Sequence, residues 1–347
     1  MTSFHMDPSA RATAKMSGDQ ALEVASVLRA TQAPQEAAAL QPGVAVASYR
    51  IVRMLGRGGM GEVYLARDRG LGRKVALKVI RPGAIGDQGA VAKFLREARI
   101  TAKFNHPHIV TVYGAGEWEG RPYVALEFLE GQTLRERMVE QRLGLRETVR
   151  LGIAIAEALA EAHRNHVLHR DLKPENVFLP RDGCVRVVDF GLAQRWSASD
   201  TAPAMLDHDS DERDAPDSGR AASDEGLIVG TPDYMAPEQW KGLPCTPATD
   251  VWALGLILYE LLTGRLPHPT GSYLAPFTSV CSPDPVPRMD PFEPLPAELE
   301  RLVHQCLEKE ADARPGAEEI VSGLHDLLYP SRGRGVGEAG SMRAGKR

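Results

Sequence analysis

Cysteine is scarce and scattered in this 347-residue chain: Cys184, Cys245, Cys281 and Cys306 form no C-x-x-C pair, and no histidine clusters with them at metal-ligand spacing. This excludes a disulfide framework and a zinc centre and points to a reducing compartment. A long apolar run is missing too. The longest, VWALGLILYELL, is too short to span a bilayer and contains Glu260, while the N-terminal MTSFHMDPSARATAKM lacks the apolar core of a signal peptide. The expectation is a cytoplasmic protein with no membrane span. Nor is there an excess of one charge: 41 Lys and Arg against 46 Asp and Glu leave a net of −5, which gives no basis for expecting nucleic acid as a partner. What is present is apolar material, 43% of residues, enough for a substantial core.

Residues 1–48 are rich in Ala, Ser, Thr, Pro and Gln and read as a mobile extension, and the Gly-rich, basic residues 330–347 read as a disordered tail. Between them, SYRIVRML, EVYLAR, KVALKVI and RPYVALEFL read as strands. GAVAKFLREARITAKF carries Val91, Phe94, Leu95 and Ala98 at helical spacing. Beyond Gly131 the pattern turns helical: ETVRLGIAIAEALAEAHRNH repeats apolar residues with a period near four, and TDVWALGLILYELLTG is apolar all round, as a helix buried inside a larger lobe should be. The expected fold is α+β and bilobal. A small, mainly β lobe with one key helix spans 49–127, EFLEG forms the connection, and a larger, mainly α lobe spans 131–329.

The segment GRGGMGEVYLARD places Gly56, Gly58 and Gly61 in a G-x-G-x-x-G spacing that suits a phosphate cradle. In a dinucleotide-binding fold the third glycine opens a helix. Here a β-branched and aromatic run follows Gly61, so the glycines sit at a hairpin, where lost Cβ atoms let the backbone approach phosphates.

Further along come VALK at 75–78, Glu97, HRDLKPEN at 169–176, DFG at 189–191, GTPDYMAPE at 230–238 and DVWALG at 250–255. The ordered series resembles the eukaryotic-type (Hanks-type) protein kinases of bacteria over about 280 residues, with HRDLKPEN and GTPDYMAPE similar to the serine/threonine branch. The resemblance implies transfer of the γ-phosphate of Mg-ATP to Ser or Thr hydroxyls of protein substrates, Mn²⁺ being able to replace Mg²⁺. It implies nucleotide contacts from Leu55, Gly56, Arg57, Gly58, Gly59, Met60, Gly61, Glu62 and Val63, and from Ala76, Lys78, Glu127, Leu129 and Phe178. Lys78, on an otherwise apolar strand, needs an anionic partner, which the phosphates and Glu97 would supply. Asp171 is implied as the group that receives the hydroxyl proton, Lys173 as a cation on the transferring phosphate, and Asn176 and Asp189 as hard oxygen ligands for Mg²⁺.

Other residues read as scaffold. His169 and Phe190 are expected in the core, Asp250 at the start of its helix to cap backbone donors and, by the resemblance, to anchor the catalytic loop, and Glu238 with Arg314 as a buried ion pair. Thr101, one turn after Glu97, stands where the family often has an apolar residue. The activation segment 189–238 is long and acidic, with nine acidic residues against two arginines between Asp200 and Glu225. Arg170 implies control by a phosphate on that segment, Ser223 being the favoured acceptor and Thr231 a structural contact of Asp171 and Lys173. Asp224 and Glu225 offer an alternative partner for Arg170. An upstream kinase or self-association would supply activation. A catalytically silent scaffold and a small-molecule kinase are the rival readings; the complete set of catalytic residues argues against the first and GTPDYMAPE against the second.

Overall fold

The computed structural model describes residues 39–58, 61–81, 88–190, 232–270 and 275–329, with the backbone alone at 88–90, 93 and 97. The small lobe is a six-stranded sheet: β1 (Ala45–Val46), β2 (Tyr49–Arg57), β3 (Gly61–Asp68), β4 (Lys74–Ile80), β5 (Val112–Trp118) and β6 (Arg121–Glu127). The spatial order is β1-β2-β3-β4-β6-β5, with every neighbouring pair antiparallel. Helix α1 (Gln88–Thr101) packs on β5 and β6.

Strand alternation sorts the side chains of β4 onto two faces. Val75, Leu77 and Val79 join Tyr64 and Ala66 in an outer cluster, whereas Ile80 joins Phe94 and Ala98 of α1 on the inner face. Ala76 and Lys78 share the parity of Ile80 and so point inward, towards the larger lobe.

The chain is ordered earlier than the expected boundary at Tyr49. β1 pairs with β2 through Ala45↔Arg50 and Val46↔Tyr49, and Leu40, Val44 and Val46 pack on the outer cluster. The physical reason is that the outer face carries Tyr49, Ile51 and Tyr64, which are buried only because something covers them. The polar composition of residues 1–48 as a whole masks this short apolar run.

In the larger lobe, β7 (Gly131–Thr133), β8 (Val177–Pro180) and β9 (Arg186–Val187) form a small antiparallel sheet. The described helices are α2 (Leu134–Glu140), α3 (Leu145–Arg164), α4 (Pro237–Trp240), α5 (Pro247–Thr263), α6 (Ala275–Cys281), α7 (Ala297–Cys306) and α8 (Ala317–Leu328). As its all-round apolar pattern demands, α5 is buried along nearly its whole length and packs against α3 and α7. Thr246, not Asp250, is its N-cap, in a capping box with Thr249. Asp250 lies one turn inside the helix, and its carboxylate is committed elsewhere.

The expected Glu238–Arg314 pair is bidentate, with Nη1 to Oε1 at 2.9 Å and Nη2 to Oε2 at 3.0 Å, and Thr249 Oγ1 adds a third bond to Glu238 at 2.8 Å. Both charges are buried, so the fork geometry and the extra hydroxyl offset the loss of water. Among the described residues no helix is long and apolar enough to cross a membrane.

Candidate active site

A cleft of about 620 Å³ opens between the lobes. Leu55, Gly56, Val63 and Ala76 form its roof, Phe178 and Val188 its floor, and Leu126 its inner end, while the connecting residues Glu127 and Leu129 run along the back. The Glu127 carboxylate turns aside to Arg186 (3.6 Å), which leaves the main chain as what this stretch offers a bound molecule. Among the described residues no hydrogen bond engages the Leu129 main chain. Apolar walls with the unspent Leu129 main chain suit a flat heteroaromatic ring.

The glycines divide into two kinds. A Cβ at Gly56 or Gly58 would meet nothing within 4 Å, so those positions leave a hollow at the hairpin tip. A Cβ at Gly61 would collide with the Val79 carbonyl oxygen. Glycine at 61 is therefore required by the close approach of β4. Gly59 and Met60 lie outside the described residues.

The side chains of Arg57 and Glu62 turn away from the cleft and pair with each other. Glu62 has the opposite parity to Val63 on β3, its side chain is buried on the outer face, and Arg57 reaches back to it at 2.7 Å. Only the main chain of these two residues is thus left for the expected nucleotide contact.

Lys78 finds its anion in Asp189, with Nζ 2.6 Å from Oδ1. The Glu97 side chain lies outside what the structure describes. Burial would by itself raise the Asp189 carboxyl, but Lys78, followed by His169 and Lys173, outweighs it and holds the group below the usual carboxylate range. Asp189 also has φ +63°, a left-handed conformation that is costly for a residue with a Cβ and typical of functional positions.

The loop from His169 to Asn176 brings the remaining residues together. Lys173 Nζ lies 2.8 Å from Asp171 Oδ2, and Asn176 Nδ2 donates to the Asp171 carbonyl at 2.7 Å and to Oδ2 at 3.3 Å. With its NH₂ so used, Asn176 keeps its amide oxygen for another partner. Val188 N–H donates to the Asn176 carbonyl at 2.9 Å, which sets Asp189 beside this loop. His169 and Phe190 are core, as expected: both are buried, their rings lie 4.7 Å apart, and His169 Nε2 donates to Val188 O at 3.0 Å.

Asp250 is the anchor beneath. Its Oδ2 accepts the His169 N–H (2.9 Å) and the His163 Nε2–H (2.9 Å), and its Oδ1 accepts the Arg170 N–H (2.8 Å). These bonds, with Gln239 Nε2 donating to the Arg170 carbonyl at 3.0 Å, hold Arg170 at φ +64°. Ser223 and Thr231 lie outside the described residues. Thr101 is buried at the end of α1.

One cluster escaped the sequence reading. Arg135 donates to Glu175 Oε1 at 2.9 Å, to Glu260 Oε1 at 2.7 Å and to Tyr234 Oη at 2.5 Å, and Tyr234 donates in turn to Glu260. α2 begins at the Thr133–Glu136 capping box, which orients Arg135 towards the loop carrying Lys173 and Asn176. The available signal was Glu260 itself: a carboxylate in a helix apolar all round requires a cation.

Taken together, the Lys78–Asp189 pair lines one edge of an apolar cleft, and the Asp171–Lys173 pair with the spare Asn176 amide oxygen lies on the loop bonded next to Asp189. That set supplies a proton acceptor, cations and hard metal ligands, the parts that transfer of a highly charged group needs. The comparisons agree with it. The family model described as protein kinase domain matches residues 49–324. Serine/threonine-protein kinase pkn3 of Myxococcus xanthus is 36% identical over 279 residues, 78% of this chain and 48% of that protein. Serine/threonine-protein kinase PknB of Mycobacterium tuberculosis is 34% identical over 271 residues, 77% of this chain and 40% of that protein. The kinase domain of M. tuberculosis PknI superposes with a TM-score of 0.63 at 28% identity, covering 84% of this chain and 99% of that one. The chain spans less than half the length of these two curated relatives. With matched sequence, matched fold and a cleft edge carrying Lys78 and Asp189 beside the loop of Asp171 and Asn176, the chain belongs to the protein kinase family and is similar to its bacterial serine/threonine members.

Proposed function

We propose that this chain transfers the γ-phosphate of ATP to serine and threonine hydroxyls of proteins. The observation that carries the reading is the Lys78–Asp189 pair in the wall of the apolar cleft, with the loop of the Asp171–Lys173 pair bonded beside Asp189 through Val188 N–H and the Asn176 carbonyl. The hollow at Gly56 and Gly58 fits phosphates, and the floor and roof fit an adenine ring. Among the described residues no cluster of three His, Cys, Asp or Glu could hold a metal unaided. The Asn176 amide oxygen and the Asp189 carboxylate nevertheless suit Mg²⁺ or Mn²⁺, which takes few protein ligands and completes its shell with water and phosphate oxygens. Such an ion would neutralise phosphate charge. Asp171 orients the substrate hydroxyl and accepts its proton, Lys173 places a positive charge at the transferring group, and Lys78 holds the phosphates.

Regulation follows the same electrostatics. A phosphate on the 189–238 segment, at Ser223, would pair with Arg170, and autophosphorylation, self-association or an upstream kinase would place it there. Thr231 would pack against Asp171 and Lys173. Glu97 would share Lys78 with the phosphates. All four cysteines are free thiols, in keeping with work in the cytoplasm.

The test is incubation with γ-labelled ATP, Mg²⁺ and generic protein substrates, beside Lys78→Met and Asp171→Asn, followed by mapping of labelled residues. Label on Ser or Thr in the wild type alone supports the reading. A correctly folded wild type that neither binds ATP nor transfers phosphate, even after treatment with active relatives, overturns it.

A further inference from the structure

The outer face of the small lobe holds a polar chain, buried at Glu62, Tyr64 and Arg121 and exposed at Arg57, whose side chains the cleft chemistry does not use. Glu62 is fully buried there. Its Oε1 accepts from Arg57 Nη2 at 2.7 Å, and its Oε2 accepts from Tyr64 Oη at 2.6 Å and from Arg121 Nη2 at 3.3 Å. Tyr64 Oη in turn accepts the main-chain N–H of Leu40 at 2.9 Å. The chain thus begins upstream of the family match, which starts at residue 49, and ends on Arg57, between two glycines of the hairpin tip.

A buried, hydrogen-bonded charge cluster is a poor way to gain stability, since apolar residues of the same volume do as well or better. What it supplies is a fixed geometry. Here that geometry bears on the glycine-rich loop at more than one point. Arg81, which follows the last residue of β4, donates to the Gly58 carbonyl at 2.8 Å, and Arg121 Nε donates to the Ile80 carbonyl at 3.3 Å. The loop is therefore tied from behind through Arg57 and through Gly58, and both ties converge on the region where β3, β4 and β6 adjoin.

Leu40 and Val44 lie over the same outer face and contribute to its cover. Lifting this segment would remove the donor to Tyr64 and admit water to the Glu62 charge, so the Arg57 tie, exposed at its arginine end and buried at Glu62, would become a screened surface pair at both ends. Burial would raise the Glu62 carboxyl, but Tyr64, Arg57 and Arg121 hold it below the usual carboxylate range, and burial with Glu62 pushes Tyr64 up to about 12. Both groups keep one protonation state across the working range, so docking of the segment, and not pH, is the variable.

We propose that the segment 40–46 and the Tyr64–Glu62–Arg57 relay form a positioning device for the glycine-rich loop, with Glu62 and Tyr64 as positioning residues for nucleotide binding. The proposal rests on reading the cleft as the ATP site. If releasing the relay leaves the loop in its binding position about a tenth of the time, apparent ATP affinity falls about tenfold, while a step that follows binding is little changed.

The experiment uses the full chain with Glu62→Gln, Tyr64→Phe and Leu40→Pro, the last removing the N–H donor. Steady-state kinetics and amide exchange of residues 54–64 are measured for each. The expected result is an ATP KM raised about tenfold with kcat within about twofold, an unchanged KM for the protein substrate, and faster exchange at Arg57 and Gly58. Because the relay is serial, Leu40→Pro combined with Glu62→Gln should raise KM no further than the more severe single variant. Thermal midpoints that fall with ATP KM and loop exchange unchanged, or KM effects that simply add, overturn the proposal. Amide exchange needs no turnover, so a chain inactive towards ATP would refute the kinase reading and still decide the relay.

Discussion

Lys78 Nζ lies 2.6 Å from Asp189 Oδ1, so a single ion pair closes the inner edge of the cleft across 111 residues of sequence. The lysine is carried by the inner face of β4, and the aspartate follows β9 at a left-handed φ. A strained backbone at the end of a strand survives because the surroundings over-determine it, here through the Lys78 pair and the Val188 N–H bond to Asn176. Neither side chain is fully buried, which keeps both within reach of a charged molecule in the cleft.

Lys78→Met should therefore abolish most phosphoryl transfer, by about 10²–10³ in rate, with little loss of stability, because what is removed is a partly exposed charge aimed at the cleft. Asp171→Asn should cost about 10²–10⁴ through loss of the proton acceptor. Initial rates with labelled ATP, beside thermal midpoints within a few degrees of wild type, check both.

The two kinds of glycine give a second test. Gly61→Ala puts a methyl group against the Val79 carbonyl oxygen, forcing β3 and β4 apart, and should lower the thermal midpoint. Gly58→Ala meets open space in the folded chain and should leave the midpoint unchanged while raising the KM for ATP. Differential scanning calorimetry and an ATP titration of the two variants distinguish a sheet contact from a phosphate cradle.

The division was not legible in the glycine spacing, which reads the same at all three positions. What sequence did disclose were features with a local period or a fixed motif: the strands flanking the glycines, the buried α5, and the grouping of Asp171, Lys173 and Asn176 on one loop. Residues acting across long separations were harder to see. Leu40–Val46 is a short apolar run within a polar stretch, and its place depends on an apolar sheet face that exists only once β2 and β3 have paired. Alternation from Val63 would have turned Glu62 outward, had the motif not claimed it for the nucleotide. Asp250 looked like a helix cap by position, yet Thr246 fills that role, because the donors Asp250 needs come from His163, His169 and Arg170 on other elements.

Arg135 links three parts of the lobe, and its loss should be felt in both stability and rate. Arg135→Ala strips the cation from Glu260, whose side chain is only 12% exposed, and from the Tyr234 hydroxyl. The expected cost is about 2–3 kcal/mol in urea unfolding. Arg135→Lys should recover only part of it, since one ammonium cannot reproduce the guanidinium's fork to two carboxylates and a phenol. A full recovery by lysine would mean that charge alone, without geometry, holds the cluster.

Asp250 gives the pH dependence its sign. Burial alone would push its carboxyl up, but the His163 hydrogen bond and charge, then His169 and the Arg170 N–H, hold it below the usual carboxylate range. A folded-state value depressed below the unfolded one, about 3.9 for Asp, means stability that is fully present above the unfolded value. That stability is lost as pH falls through the folded one. Asp250→Asn should thus cost about 2–3 kcal/mol at pH 7, where the charged acceptor is lost to two main-chain N–H groups and His163. The gap between wild type and variant should hold down to about pH 5 and narrow as pH falls below about 4, because protonation then deprives the wild type of the same charge. Urea unfolding of both proteins at stepped pH measures this gap. A gap independent of pH would show that shape, and not ionisation, of Asp250 secures the loop.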